Sequence, residues 1–200
     1  MAAPSNSVQE TRLSIPFPSR SDPQIHLIGI LAHHAPLEAT PASSSSTSTP
    51  AARPLALITH GVLSHKNQSY HRLLAQTLPI DSFRFDFRGN DESPLMPGQE
   101  WDMAGFGEDV KDMDAVVDFL TQEYGYSIDL VVGHSRGSLV GWKWFADRFG
   151  PESSTSKESS QSPPLWISLG GRWRMDRIHD RDEVWRPQFE EKGYHEWKVS

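Results

Sequence analysis

The sequence of 200 residues contains no cysteine, and this absence removes several kinds of chemistry at once. A chain without thiols can form no disulfide framework, no thiolate metal site and no cysteine nucleophile. It also lacks an excess of basic residues, because its net charge is −7 at pH 7. Since proteins that bind nucleic acids need a basic face, we expect no nucleic-acid partner.

Long apolar runs are missing as well. No stretch approaches the roughly 18 apolar residues of a membrane-spanning helix, so no membrane span is predicted. The first residues, MAAPSNSVQETRLSIPF, do not place an apolar run after a basic one, as a signal peptide would. Together with the absence of cysteine, this composition favours a cytoplasmic protein.

Short apolar runs alternate with amphipathic segments along most of the chain. Strands are predicted at residues 12–17, 24–34, 55–60, 83–87, 127–133 and 165–171, and helices at 69–78, 107–124 and 136–150. Strands that alternate with helices predict an α/β fold, with a mostly parallel sheet and helices on both faces. The first two strands have no helix between them, which predicts an antiparallel start.

The predicted helix at 107–124 has a regular pattern. Its apolar residues recur at helical spacing, at Val110, Met113, Val117 and Leu120. Its aspartates fall largely on the opposite faces, which predicts that they are solvated; they are Asp109, Asp112, Asp114 and Asp118.

Composition divides the chain into three parts. Residues 1–11 are predicted to be a disordered N-terminus, 12–173 a partial α/β core, and 174–200 the start of a lid or cap segment. Two tracts within the core, 36–54 and 151–164, are rich in Ser, Thr and Pro. Such tracts cannot bury enough apolar surface to offset the entropy of ordering them, so we expect disordered insertions.

The segment LVVGHSRGSLV places Ser135 between Gly133 and Gly137, where a predicted strand ends and a predicted helix begins. A serine on such a sharp turn is lifted off the edge of the sheet, and side chains at the flanking positions would collide. The first amides of the helix then point toward the hydroxyl group. This arrangement is typical of a serine nucleophile.

Four motifs together resemble the α/β-hydrolase family. THGVLSHK (residues 59–66) resembles its His-Gly loop, and RFDFRGNDES (84–93) resembles its D-x-R-G-x-G-x-S motif, with Asp91 where a glycine is usual. GHSRG resembles its nucleophile elbow, and ISLGGRW (167–173) resembles the sixth strand of its esterase, thioesterase and serine-peptidase-like members.

The resemblance implies a role for each matching position. Ser135 becomes the nucleophile, and the backbone N–H groups of Val62 and Arg136 become the oxyanion hole. His60 shapes its loop, while Asp86 and Arg88 hold the turn after the fourth strand. The implied activity is cleavage of a carboxylic ester or thioester, a small-molecule substrate, through an acyl-enzyme.

No cofactor and no metal are implied. Histidines at positions 33, 34, 60, 65 and 71 lie in a short span, but their spacing does not place three imidazoles on one face. We therefore interpret them as structural. Nothing in the sequence fixes an oligomeric state.

The acid and the base of the site are not evident. In the family, an acid follows the seventh strand and a histidine follows the eighth, and neither strand is predicted here. Asp176 is a candidate acid, and His195 or His179 a candidate base. We expect a hydrolase core that lacks the last strands, with its sixth strand as an exposed edge. The alternative is a catalytically inactive fragment or an interaction protein of the same shape.

Overall fold

The computed structural model describes residues 8–17, 26–37, 52–68, 70–100, 106–150, 162–171, 186–187 and 190–192. Its strands and helices are, in chain order, β1 (Gln9–Pro16), β2 (His26–His33), β3 (Arg53–Thr59), α1 (His71–Thr77), β4 (Asp81–Phe85), α2 (Gly107–Tyr124), β5 (Tyr126–His134), α3 (Arg136–Phe149) and β6 (Leu165–Leu169).

The strands form one six-stranded sheet in the order β1-β2-β4-β3-β5-β6. β1 pairs antiparallel with β2, and β2 pairs antiparallel with β4. The remaining pairs, β4 with β3, β3 with β5 and β5 with β6, are parallel. The predicted α/β class, the mostly parallel sheet and the antiparallel start are therefore confirmed. Because β3 lies between β4 and β5, their carboxyl ends meet at one edge of the sheet.

Helices cover both faces of the sheet. Leu55 and Leu57 of β3 belong to the larger apolar cluster, which includes Met113 of α2 and Trp144 of α3. The next residue of the strand, Ile58, belongs instead to a smaller cluster with Ala75 of α1, Ala32 and Val132. Since successive side chains of a strand point to opposite faces, α1 lies on one face, and α2 and α3 lie on the other.

Two strands extend beyond their predicted limits. β1 begins at Gln9, so residues 9–11 belong to a strand and not to the predicted disordered N-terminus. β3 begins at Arg53, inside the predicted insertion 36–54. In both cases the pairing continues outward, from Gln9 to His33 and from Arg53 to Tyr126. Backbone hydrogen bonds between strands do not depend on side-chain polarity. They therefore continue past the polar residues at which the predicted strands began.

β4 is displaced from its predicted position of 83–87 to Asp81–Phe85. Its first residue pairs with Leu55 of β3. The Asp81 carboxylate accepts hydrogen bonds from Arg53 at 2.6 Å and from the Tyr126 hydroxyl at 2.8 Å. These donors satisfy the Asp81 carboxylate, so a charged residue can be buried at the start of the strand.

β6 is the last strand of the sheet, and none of the described residues pairs with its outer edge. Leu165 is 65% exposed and Ile167 is 38% exposed, although both are large and apolar. Trp166, between them, packs against the main core on the other face. None of the helices in the described ranges combines the length and apolar character that crossing a bilayer requires.

The stability of the sheet should depend on β3. Leu57 is fully buried, and we expect Leu57→Ala to lower the free energy of unfolding by about 2–5 kcal/mol, because it leaves a cavity in the core. Leu73→Ala on α1 is the matched control, since Leu73 is 64% exposed and its truncation should cost little. Urea unfolding of both variants measures the difference. Equal destabilisation would contradict the assignment of β3 to the core.

Candidate active site

The turn between β5 and α3 holds Ser135 in a strained conformation. The residue has φ 50° and ψ −113°, a region that L-residues with side chains rarely adopt. Its backbone N–H donates to the Leu169 carbonyl of β6 at 2.8 Å. Its carbonyl accepts from the Ser138 N–H at 3.0 Å. The turn is thus tied to β6 on one side and to the first turn of α3 on the other.

The two glycines that flank Ser135 are required by close backbone contacts. A Cβ atom on Gly133 would lie 2.6 Å from Ser138 Cα, and one on Gly137 would lie 2.5 Å from the His60 carbonyl oxygen. Neither backbone can yield cheaply, because Ser138 is in the first turn of α3 and His60 directly follows β3 and is held by the Phe87 N–H. The steric reason given for these glycines is therefore present in the structure.

The segment after β3, here called the β3–α1 loop (residues 60–66), lies directly beside Ser135. A Cβ atom on Gly61 would lie 3.3 Å from Ser135 Cβ and 3.2 Å from His134 Nδ1. Val62 follows and is 41% exposed. Leu63 has φ 49° and is 78% exposed, so its side chain does not anchor the loop. The amide of Val62 is consequently placed next to the serine turn.

His60 holds the start of this loop. Its Nε2 accepts a hydrogen bond from the Phe87 N–H at 3.0 Å, so Nδ1 carries the ring proton and donates to the Gly61 carbonyl at 2.7 Å. Burial, the main cause, lowers the pKa of His60 to about 4. A neutral imidazole with both nitrogens engaged is a structural group, as the sequence analysis expected, and cannot serve as the base.

The turn after β4, here called the β4 turn (residues 86–93), collects buried charges. Asp86 is fully buried and accepts from the Lys66 backbone N–H at 2.7 Å. Arg88 donates from Nε to Asp112 Oδ1 at 2.8 Å and from its backbone N–H to Asp112 Oδ2 at 2.9 Å. The β4 turn is therefore joined to the β3–α1 loop through Asp86 and to α2 through Arg88.

Arg136, the first residue of α3, binds α2 through its guanidinium. Its Nε donates to Asp109 Oδ2 at 2.8 Å, and its Nη2 lies 2.7 Å from the same oxygen. The guanidinium also lies over the Phe106 ring, 4.9 Å from its centroid. This contact fixes the start of α3, and with it the backbone of Arg136 next to Ser135, against α2.

Two of the α2 aspartates contradict the prediction of solvated faces. Asp109 is 4% exposed and Asp112 is 0% exposed. Each is the partner of a buried arginine, and burial is the main cause that raises the pKa of Asp109 and raises the pKa of Asp112 to about 6. The predicted apolar residues Val110, Met113 and Leu120 are buried as expected.

Comparison with known proteins identifies the family. The model of the family described as serine aminopeptidase, S33, matches residues 50–153, which is half of the chain. The chain belongs to this α/β-hydrolase family. The match includes β3, the β3–α1 loop, the β4 turn and the Ser135 turn, so the family predicted from the four motifs is confirmed.

Individual relatives match over a larger part of the chain. An uncharacterized Saccharomyces cerevisiae protein, YDL057W, is 31% identical over 153 residues, which are 70% of this chain and 44% of the yeast protein. The chain therefore spans less than half the length of this curated relative.

Solved structures support the same fold. The crystal structure of dienelactone hydrolase from Anabaena variabilis has a TM-score of 0.53 at 18% identity, covering 83% of this chain and 65% of that one. The α/β hydrolase GrgF from Penicillium sp. sh18 has a TM-score of 0.53 at 14% identity, covering 88% of this chain and 50% of that one.

Asp91 stands where the family resemblance leads one to expect a glycine, and the structure explains why the exchange is tolerated. Its φ is 44°, the left-handed region that favours glycine. Aspartate is one of the few other residues that visit this region readily, because its short polar side chain can bond locally. Here its carboxylate lies 3.2 Å from Lys66 Nζ.

A metal is not needed to explain the acidic residues of the β4 turn. In the described ranges, Asp86, Asp91 and Glu92 bring ligand atoms close enough together to hold an ion. Lys66 Nζ already lies 2.5 Å from Asp86, 3.2 Å from Asp91 and 2.6 Å from Glu92. The ammonium group supplies the positive charge that a metal ion would bring.

The candidate acid Asp176 and the candidate bases His179 and His195 lie outside the described residues. Most of the predicted lid segment 174–200 does so too, although residues 186–187 and 190–192 are helical. In the described part of the chain, no imidazole is hydrogen-bonded to the Ser135 hydroxyl. The roles of these three residues therefore stay predictions.

The sequence analysis interpreted His71, the first residue of α1, as structural, but could not predict that it lies beside the serine turn. It is 1% exposed, and its ring lies 5.0 Å from that of Tyr70 and 5.9 Å from that of His134. Burial, followed by the charges of His134 and His60, lowers the pKa of His71 to about 4. The side of the serine turn next to α1 is thus packed with aromatic rings.

We predict that acid destabilises the protein through His71. The unfolded side chain takes up a proton below about pH 6.5, whereas the folded one does so only near pH 4. Stability should therefore fall as the pH drops between these values, by about 2 kcal/mol at pH 5. His71→Phe keeps a ring at the site and should weaken this dependence.

Urea unfolding of the wild type and of His71→Phe at pH 7 and pH 5 measures the effect. Asp112 changes stability in the opposite direction, since its raised pKa favours the folded state in acid, but both proteins contain it. The difference between them isolates His71. Identical pH dependence of the two proteins would refute the prediction.

We also predict that Gly137→Ala is not tolerated. Its Cβ would meet the backbone of His60 and Thr59, so the end of β3 and the serine turn must separate. We expect a loss of about 2 kcal/mol or more in the free energy of unfolding. Gly107→Ala at the start of α2 is the control, because no atom lies within 4 Å of its added Cβ. Thermal unfolding compares them, and a Gly137→Ala variant as stable as the control would count against the packed turn.

Proposed function

We propose that the protein is a serine hydrolase that cleaves a carboxylic ester or thioester through an acyl-enzyme on Ser135. The observation that carries the proposal is the Ser135 turn itself, at φ 50° between β5 and α3, with Gly61 of the β3–α1 loop against it. Such strain is costly and persists where the surroundings enforce it, which is typical of a nucleophile position.

The chemistry requires a base, which takes the hydroxyl proton as Ser135 Oγ bonds to the substrate carbonyl carbon. The carbonyl oxygen becomes an oxyanion, and the N–H groups of Val62 and Arg136 are the donors we assign to it. When the intermediate collapses, the C–O or C–S bond breaks and the protonated base gives its proton to the leaving group. Water, activated by the same base, then releases the acid and restores Ser135.

The geometry on both sides of Ser135 supports the N–H groups of Val62 and Arg136 as the donors. Gly61, the residue before Val62, approaches Ser135 Cβ. Arg136 is in the first turn of α3, where amides point out along the helix axis instead of to carbonyls of their own helix. Its guanidinium is bound to Asp109 of α2, which fixes the start of the helix. We assign the base to His195 or His179, and the supporting acid to Asp176.

An ester or thioester is favoured over a peptide with a free amino terminus. An aminopeptidase needs a carboxylate to bind the substrate's ammonium group. The carboxylates beside the β3–α1 loop in the described ranges, Asp86, Asp91 and Glu92, are bound to Lys66. We propose a small-molecule ester or thioester as the substrate, and the cytoplasmic location stays a prediction from the sequence.

A second candidate is an inactive or interaction protein of the same fold. It is favoured by the outer edge of β6, where Leu165 and Ile167 are exposed. An apolar edge strand without charged residues can pair with another chain. The two candidates differ in whether Ser135 is chemically activated.

A fluorophosphonate probe should distinguish the two candidates. We expect the purified 200-residue chain to be labelled, because the probe reacts where a base and oxyanion donors activate a serine. Ser135→Ala should abolish labelling. Ser127→Ala on β5 should not, since the Ser127 hydroxyl binds Asp129. Gel fluorescence after equal reaction times gives the result. Folded wild-type protein that resists the probe would favour the inactive alternative.

A further inference from the structure

The β3–α1 loop is fastened at both of its ends to a single structure, the β4 turn. At its start, His60 Nε2 accepts from the Phe87 N–H at 3.0 Å. At its end, the Lys66 N–H donates to Asp86 Oδ1 at 2.7 Å. Phe87 and Asp86 are neighbours in sequence. Both ends of the loop are thus hydrogen-bonded to adjacent residues of the β4 turn.

The side chain of Lys66 supplies most of the second attachment. Its Nζ lies 2.5 Å from Asp86 Oδ2, 2.6 Å from Glu92 Oε2 and 3.2 Å from Asp91 Oδ2. An ammonium group has three N–H donors, and here three carboxylates surround it. Asp86 alone receives both the backbone N–H and the ammonium of Lys66. Lys66 therefore closes a ring of polar contacts between loop and turn.

Burial makes this attachment unusual for a lysine. The side chain of Lys66 is 1% exposed and that of Asp86 is 0% exposed. Lysine is almost never fully buried unless it is paired. Burial alone would lower the pKa of Lys66, but the hydrogen bonds to Asp86, Glu92 and Asp91 outweigh it and the pKa is raised. The ammonium is therefore charged at neutral pH and is held away from solvent.

The residues between the two attachments have little else to hold them. Val62 and Leu63 are exposed, and Leu63 adopts φ 49°, an unfavourable conformation for a leucine. The Ser64 hydroxyl donates to Gln68, a contact within the same region of the chain. The position of the Val62 amide is consequently set by the two ends of the loop and by the contact of Gly61 with the serine turn.

We propose that Lys66 is a positioning residue for the oxyanion hole, and that its ammonium, bound to Asp86, Asp91 and Glu92, holds the Val62 amide in place beside Ser135. This inference rests on the proposed function, because Val62 matters as a donor only if Ser135 forms an oxyanion. Lys66 itself touches neither the substrate nor the reacting atoms. It acts through the backbone of the β3–α1 loop.

The test is Lys66→Met, which keeps an unbranched apolar stem of similar size and removes the ammonium group. We expect the rate of fluorophosphonate labelling to fall by about 10- to 100-fold, since small displacements of a donor have such effects. With p-nitrophenyl acetate, kcat should fall while KM stays near its wild-type value, because the donor binds the transition state and not the ground state. Lys143→Met is the matched control, since Lys143 forms an exposed pair with Asp147 on α3.

A second measurement reports on the loop directly. Hydrogen exchange of the peptide that contains residues 60–66 should become faster in Lys66→Met, while exchange in β3 and β5 stays as in the wild type. If circular dichroism shows that Lys66→Met does not fold, Lys66→Met/Asp86→Asn replaces it. The second substitution removes the buried charge that the first leaves without its partner.

The outcomes separate the two proposals. Faster exchange in the loop together with slower labelling supports the positioning role of Lys66. Unchanged exchange at residues 60–66, or labelling at the wild-type rate, overturns it. If the wild-type chain is neither labelled nor active, the proposed function has failed, and exchange in the loop alone still decides whether Lys66 fixes Val62.

Discussion

The carboxylate of Asp86 is the contact on which the rest of the candidate site depends. It lies just past the end of β4 with no exposure to solvent, and it binds both the backbone and the ammonium of Lys66. Two opposite charges buried together gain stability only when their hydrogen bonds are satisfied, and removing one partner typically costs about 3–5 kcal/mol. The position of the β3–α1 loop is therefore coupled to the folding of the β4 turn.

The same turn also reaches the other side of the site. Arg88 binds Asp112 of α2, and one helical turn earlier Asp109 binds Arg136, the residue after Ser135. Thus α2 links the β4 turn to the start of α3 through two buried ion pairs. This frame can hold Ser135 at φ 50°, because neither the loop in front of it nor the helix behind it is free to relax. The Leu169 carbonyl of β6 adds a further contact at the Ser135 N–H.

The sequence predicted the fold well because the fold follows from local patterns. The helix predicted at 107–124 is found at Gly107–Tyr124, and the strand-turn-helix around Ser135 is present as expected. The predicted limits of the strands were less accurate, since β1 and β3 extend into residues that are polar or rich in proline. The residue at which a strand begins or ends is set by backbone pairing with the neighbouring strand, and that strand can be distant in the sequence.

The ion pairs could not be predicted in the same way. Helical spacing correctly separated Met113 from Asp112, but it could not indicate that Arg88 lies opposite Asp112 and makes its burial favourable. The buried ion pairs of Lys66 could not be predicted, because its three carboxylate partners follow it by 20 to 26 residues. Only the parallel pairing of β3 with β4 brings those segments together.

The candidate nucleophile and its amide donors could be proposed from the sequence because their signal is local, namely glycines at fixed positions around a serine and after a histidine. The most direct test of their assignment is a crystal structure of the protein after reaction with a fluorophosphonate. We predict a covalent phosphonate on Ser135, with its phosphoryl oxygen about 3 Å from the N–H groups of both Val62 and Arg136. An adduct on Ser135 whose phosphoryl oxygen points to solvent, or an adduct on another residue, would contradict this account.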